Sequence, residues 1–103
     1  MKKHVVVRVT VARPVAALYT MGVAAELTGL HPQTLRTYER DGLITPHRTE
    51  GNNRLYSDED LVRARRVAEL SSLGMSREAV VYVLELESRV RDLTATVDEL
   101  RRR

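Results

Sequence analysis

From Ser76 to Arg103 the chain contains neither Gly nor Pro, and its apolar residues recur in a fixed rhythm. Ala79, Val83, Leu86, Val90, Leu93, Val97 and Leu100 are spaced 4, 3, 4, 3, 4, 3. This is an unbroken a/d heptad stripe on one helix of about 40 Å, at 1.5 Å per residue. In a chain of 103 residues, such a helix leaves room for one small domain ahead of it. The stripe from Ala79 to Leu86 is expected to close that domain's core. From Leu86 through Val90, Leu93, Val97 and Leu100 it is expected to face a partner helix, supplied by a second copy of the chain. Val at a with Leu at d suits a parallel pair, although about two heptads leave the orientation open.

The rest of the core must come from Leu, Val and Ala, because the chain has four Tyr and no Phe or Trp. The absence of Cys excludes disulfides, thiolate zinc sites, iron–sulfur clusters and a cysteine nucleophile. No apolar run approaches the roughly 18 residues of a membrane span. Arg8 and Arg13 interrupt the apolar N-terminal stretch, so no clean signal peptide is legible and an intracellular soluble protein is expected. The cations are 15 Arg and 2 Lys, with a net charge of +3. Such a balance permits nucleic-acid binding without establishing it. Between His31 and Arg66, seven Arg face six acids, so placement matters more than the total.

Residues 1–18 read as a basic, partly ordered arm. Val5, Val7, Val9 and Val11 alternate like a strand, so an added strand is the alternative, but no partner strand is evident. Residues 20–28 read as a short helix, stopped by Gly29. A second helix starts at once, with His31 at the N-cap and Pro32 at N1, where a missing N–H costs nothing. Two short helices around a Gly-containing turn make a helix-turn-helix candidate. On the second helix Gln33, Arg36, Thr37 and Arg40 share one side, Leu35 lies opposite and Tyr38 sits at the border. Such a face suits base edges and phosphates, yet any solvated helix is polar on its outer side.

Residues 43–56 add a hairpin. Leu43-Ile44-Thr45 leads in, Arg54-Leu55-Tyr56 leads out, and Glu50-Gly51-Asn52-Asn53 tolerates positive φ. As a wing, it places Arg48 and Arg54 near its tip, with Tyr56, to grip a sugar-phosphate backbone. Glu50 is an unfavourable charge there. A third helix is capped by Ser57 and led by Asp58, Glu59 and Asp60 in its positive first turn. Its inner stripe is Leu61, Ala64, Val67, Ala68 and Ser71, with Arg63, Arg65 and Arg66 mostly outward. Gly74 closes it and Ser76 caps the last helix.

The run Thr20–Tyr56 resembles the MerR family of transcription regulators. The likeness rests on YTMGVAAELTGL, TLRTYERDGL and the G-x-x-R-x-Y pattern at Gly51, Arg54 and Tyr56. The Ser-x-x-Asp-Leu start of the third helix and Leu-Gly-Met-Ser-Arg-Glu at 73–78 extend it to about Tyr19–Leu86. His-Pro-Gln-Thr-Leu-Arg-Thr-Tyr at 31–38 and Glu-Leu-Glu at 85–87 look most like the heat-shock repressor branch. The resemblance implies a mainly α fold: a winged helix-turn-helix over 19–75, then a helix over 76–103 ending in a dimerisation coiled coil. It implies an antiparallel pairing of those helices, and that topology is the expectation here. It also implies the second helix in the major groove and the hairpin on the backbone. Thr37 stands where the family usually has an aromatic residue, and Leu55 where a second wing arginine is common.

The expected function is therefore a homodimeric, sequence-specific regulator of double-stranded DNA, more a repressor than an activator, binding an inverted repeat. Gln33, Arg36 and Thr37 are the candidates for base readout, Tyr38, Arg40, Arg48, Arg54 and Tyr56 for the backbone, and Thr34 is a further DNA-binding candidate. The heat-shock branch implies stress or chaperone genes as targets, an Hsp70-type chaperone as co-repressor, and a bacterial, cytoplasmic, nucleoid-associated location. The short length is expected to leave no room for an effector domain, so no cofactor, metal or small-molecule effector is expected. A protein-interaction adaptor is the alternative, suggested by Glu39, Asp41 and Glu50 near the candidate DNA face. A DNA-architectural protein is another. An enzyme is not expected: His4, His31 and His47 fall in an arm, a cap and a hairpin, with no acid–base constellation around them.

Overall fold

A computed structural model describes residues 6–9 and 16–103. The chain divides into two units, residues 1–69 and 70–103. In the first unit, strand β1 (Val6–Val9) pairs antiparallel with β2 (Ala16–Thr20), Val6 opposite Tyr19 and Val9 opposite Ala16. Within the expected arm over 1–18, Val6–Val9 follows the alternative reading of an added strand, and its partner strand follows in the sequence. The remainder of the arm lies outside the described residues.

Helix α1 (Met21–Thr28) begins directly after β2. Thr20 caps it, its side-chain oxygen accepting the Val23 N–H at 3.4 Å. Gly29 ends it in the left-handed region (φ 73°), donating its N–H to the Ala25 carbonyl. Helix α2 (Pro32–Arg40) follows with His31 as N-cap. Two backbone bonds form its exit: Gly42 N–H to the Glu39 carbonyl at 3.0 Å, and Leu43 N–H to the Tyr38 carbonyl at 2.8 Å. This is a Schellman ending, which needs the positive φ of Gly42 (76°) and turns Leu43 inward. Leu43 and Ile44 are consequently buried anchors rather than the leading strand of the hairpin.

The hairpin itself is short. β3 (His47–Arg48) pairs antiparallel with β4 (Arg54–Ser57), His47 opposite Leu55 and Arg48 opposite Arg54. Its tip closes through Asn52 N–H to the Thr49 carbonyl and Thr49 N–H to the Asn53 carbonyl, each at 2.9 Å, with Asn52 at φ 63°. β4 also pairs with β2, Tyr19 opposite Tyr56, so the sheet order is β1-β2-β4-β3. Helix α3 (Asp58–Ser72) starts on a reciprocal cap: Asp60 N–H donates to Ser57 Oγ, and Ser57 N–H to Asp60 Oδ2.

The core of this unit gathers Ala24, Leu35, Ile44, Tyr56, Leu61 and Ala64, with Tyr19, Met21 and Tyr38 partly buried against it. With no Phe or Trp available, Tyr56 is its largest fully buried side chain. On α3 the buried stripe is Leu61, Ala64, Val67 and Leu70. Leu70 replaces the expected Ser71, which is exposed.

In the second unit, helix α4 (Arg77–Arg101) is capped by Ser76, whose Oγ accepts the Ala79 N–H at 3.1 Å. Its 25 residues correspond to about 37 Å. Val80 and Leu84, an i,i+4 pair, are the buried residues, whereas Ala79 and Val83 are half-buried and Leu86 is exposed. The buried positions on this helix thus fall one residue along from the expected Ala79 and Val83. Among the described residues, no helix is long and apolar enough to cross a membrane.

Candidate nucleic-acid interface

The second helix divides its faces sharply because Leu35 must enter the core. Leu35 is fully buried, and Gln33, Arg36 and Arg40 are exposed on the solvent side. Thr34 and Thr37 are half-buried at the margins. Arg36 Nη1 lies 3.4 Å from Gln33 Oε1, one turn apart on the outer face. Arg40 extends into solvent beside Asp41, at 3.8 Å. These groups can donate to and accept from base edges, and Arg offers the bidentate fork that suits guanine.

The start of this helix is fixed by His31, whose Nδ1 accepts the Gln33 N–H at 2.9 Å. A polar residue of the outer face is therefore held through its own backbone.

The wing is tied to the helix by one carboxylate. Glu39, in the last turn of α2, accepts Arg48 Nη2 on Oε2 at 2.8 Å and Arg54 Nε on Oε1. Arg48 Nη1 also donates to the Asn52 carbonyl at 3.2 Å, so the wing tip holds the same guanidinium. Burial pushes the Glu39 carboxyl up, but the hydrogen bonds and charges of Arg54 and Arg48 outweigh it and hold the group below the usual carboxylate range. The same bond raises the Arg54 guanidinium further. Glu39 thus joins helix and wing, and does not stand as an uncompensated acid on the face.

A cleft of about 550 Å³ lies beside this junction, lined among others by Thr20, Gly22, Arg36, Asn53 and Arg54. It brings the start of α1, the outer face of α2 and the wing to one concave surface.

Two of the sequence candidates sit differently. Tyr56 is 0 % exposed, and its hydroxyl donates to Met21 Sδ at 3.6 Å. It supports β4 from inside, so the expected backbone contact by Tyr56 is corrected to a core role. Tyr38 is half-buried against the same core. Burial raises both phenols above their ordinary value.

Two residues expected to point outward prove to be fasteners. Arg63 Nε donates to the Leu43 carbonyl, just past α2, and Arg65 Nη2 to the Leu27 carbonyl in the last turn of α1. Cations at helix C-terminal carbonyls are favourable, and this preference is the signal that points to them. Among the described residues, no group of three or more His, Asp or Glu could hold a metal ion.

In the second unit the stripe Leu86, Val90, Leu93, Val97 and Leu100 is exposed along its whole length, Leu93 at 66 %. Solvent-facing apolar residues at strict heptad spacing are a surface that can seat against a partner helix.

Residues 19–87 match the model of the MerR HTH family of regulatory proteins, which takes in α1, α2, the wing, α3 and the start of α4. The chain belongs to the MerR family. This is a family of transcription regulators and not of enzymes. Among MerR relatives, the putative heat shock protein HspR of Streptomyces coelicolor is 45% identical over 84 residues, covering 81% of this chain and 56% of its own length. The regulator MlrA of Escherichia coli is 38% identical over 73 residues, covering 70% of this chain and 30% of its own. The chain therefore spans about half or less of the length of these curated relatives. Among solved structures, HiNmlR, a MerR family regulator lacking the sensor domain and bound to promoter DNA, superposes with a TM-score of 0.61. It shares 28% identity, with 82% of this chain and 76% of that one covered. The MerR winged helix-turn-helix thus accounts for the placement of α2 beside the wing.

Proposed function

We propose that this MerR family chain is a homodimeric regulator that reads an inverted repeat in double-stranded DNA. The observation that carries the reading is a concave surface on which Arg36 of α2 meets Arg54 of the wing. Residues 19–75 act as the reader and 76–103 as the pairing helix. Gln33, Arg36 and Thr37, with Thr34 at the margin, meet base edges in the major groove. Arg40, Arg48 and Arg54 meet phosphates, and the rim of Tyr38 meets the sugar. The exposed stripe from Leu86 to Leu100 pairs two copies, which brings the two recognition helices onto half-sites about one helical turn apart, roughly 34 Å.

The finer reading is a repressor of stress or chaperone genes, acting with an Hsp70-type chaperone in the bacterial cytoplasm. Likeness to a relative named as a heat shock protein, with 45% identity, supports it. The test is selection of genomic fragments by the purified chain, with and without the chaperone, and light scattering on the free protein. Enrichment of one inverted repeat by a dimer is the expected result. Absence of any sequence enrichment at low salt counts against the reading and favours an adaptor whose surface is the α4 stripe.

A further inference from the structure

Glu39 stands on the helix proposed to enter the DNA groove. A carboxylate there repels phosphates, so simple electrostatics makes it a liability. The wing supplies a reason for it. Arg48 and Arg54 are directly opposite in the β3–β4 register. Like charges across strands destabilise a hairpin and drive the two side chains apart. Glu39 places one carboxylate oxygen on each guanidinium and so draws the pair together on the α2 side of the wing.

We propose that Glu39 is a positioning residue for DNA binding, holding Arg48 and Arg54 in one arrangement relative to the outer face of α2. This inference rests on the DNA-binding function proposed for the chain. The arithmetic of charge allows it: two cations and one anion leave the junction net positive. So does the donor inventory. Each guanidinium carries five N–H groups. Arg54 commits Nε to Glu39, and Arg48 commits Nη2 to Glu39 and Nη1 to the wing tip, so both keep donors for a phosphate oxygen.

The gain is order rather than stability. A pair this close to solvent contributes little to folding. A long side chain that must be immobilised on binding weakens affinity, and prior alignment removes that cost. Two arginines aligned in the free protein therefore favour binding more than one nearby anion opposes it. The consequence is a sign opposite to that of charge counting.

The test is Glu39→Gln in the 103-residue chain, titrated against a selected duplex over a salt series, with a thermal melt alongside. Positioning predicts binding weaker by about tenfold. It also predicts a salt slope shallower by about one, as an arginine leaves its phosphate. The melt should shift little. Equal or tighter binding, with an unchanged or steeper slope, overturns the proposal, because that is what removal of a repelling charge produces. Wild-type protein that binds no duplex would instead sink the DNA-binding function itself. Should the variant fail to fold, side-chain NMR on the wild type decides. An Arg54 Nε–H that exchanges more slowly than that of Arg36 in the free protein supports positioning, and equal fast exchange overturns it.

Discussion

His31 Nδ1 accepts the backbone N–H of Gln33 at 2.9 Å, so helix α2 is capped by an imidazole. An N-cap lost to Ala costs about 0.5–2 kcal/mol. His31→Ala should lower the unfolding free energy by that amount, and His31→Asn should recover most of it. Urea titrations of the three proteins check this. Equal midpoints for Ala and wild type would show the cap to be idle.

Arg36 lies on the outer face of α2, aligned with Gln33. Arg36→Ala should cost about 1–3 kcal/mol on the selected duplex and relax specificity at one base pair. Arg40→Ala should weaken specific and scrambled duplexes alike and reduce the salt slope by about one. Anisotropy titrations on both duplexes separate the roles. Equal losses on both duplexes for Arg36→Ala would remove it from base readout.

Tyr56 belongs to the core, and its substitutions should read out as stability. Tyr56→Ala should cost about 3–5 kcal/mol, the usual penalty for emptying a large aromatic site. Tyr56→Phe loses only a weak bond to a thioether, so it should change stability by less than about 1 kcal/mol. It should also leave the salt slope of DNA binding intact. A shallower slope for Tyr56→Phe would return the phenol to the interface.

Glu39 gives a pH dependence of known sign. Its folded-state carboxyl lies below the ordinary value of 4.5. The stabilisation it brings is therefore fully present above that value and is lost as the pH falls through the depressed one. The small difference in melting temperature between wild type and Glu39→Gln should stay constant from about pH 7 to 5 and vanish in more acidic solution. A difference that grows on acidification would contradict the ion pair.

Leu93 is well exposed in the free chain, so Leu93→Asp should leave each chain folded. It should convert the proposed dimer to a monomer and abolish tight binding to two half-sites while retaining weak binding to one. Light scattering together with circular dichroism measures both. A dimer that survives the substitution would place the pairing surface elsewhere.

Features that depend on close neighbours are legible in the amino-acid sequence. His31-Pro32 as cap and first turn, Gly29 as stop and Ser57 as cap all follow from interactions within four residues. Pairings across the chain are not. β1 has a strand's alternation, but its partnership with β2 cannot be read from periodicity, which says nothing of what lies alongside. Leu43 and Ile44 resemble a strand because they are β-compatible and apolar, and the Schellman exit at Gly42 turns them inward instead. Arg63 and Arg65 have outward Cα positions, yet long side chains reach back to carbonyls, which a helical wheel ignores. On α4 the heptad spacing locates the exposed seam, and burial falls one residue along, at Val80 and Leu84. In the interface, Glu39 has the look of a stray acid because its two partners lie 9 and 15 residues away in sequence.

The central position of β4 has a mechanical consequence. It is paired with β3 on one side and β2 on the other, so the wing is rooted in the sheet and is not a loose flap. A pull on the tip becomes shear along β4 and is shared with β2, whose end opens directly into α1. The part that yields first is β3, whose two residues form the outer edge. The wing is thereby anchored through β4 to the strand that leads into the first helix.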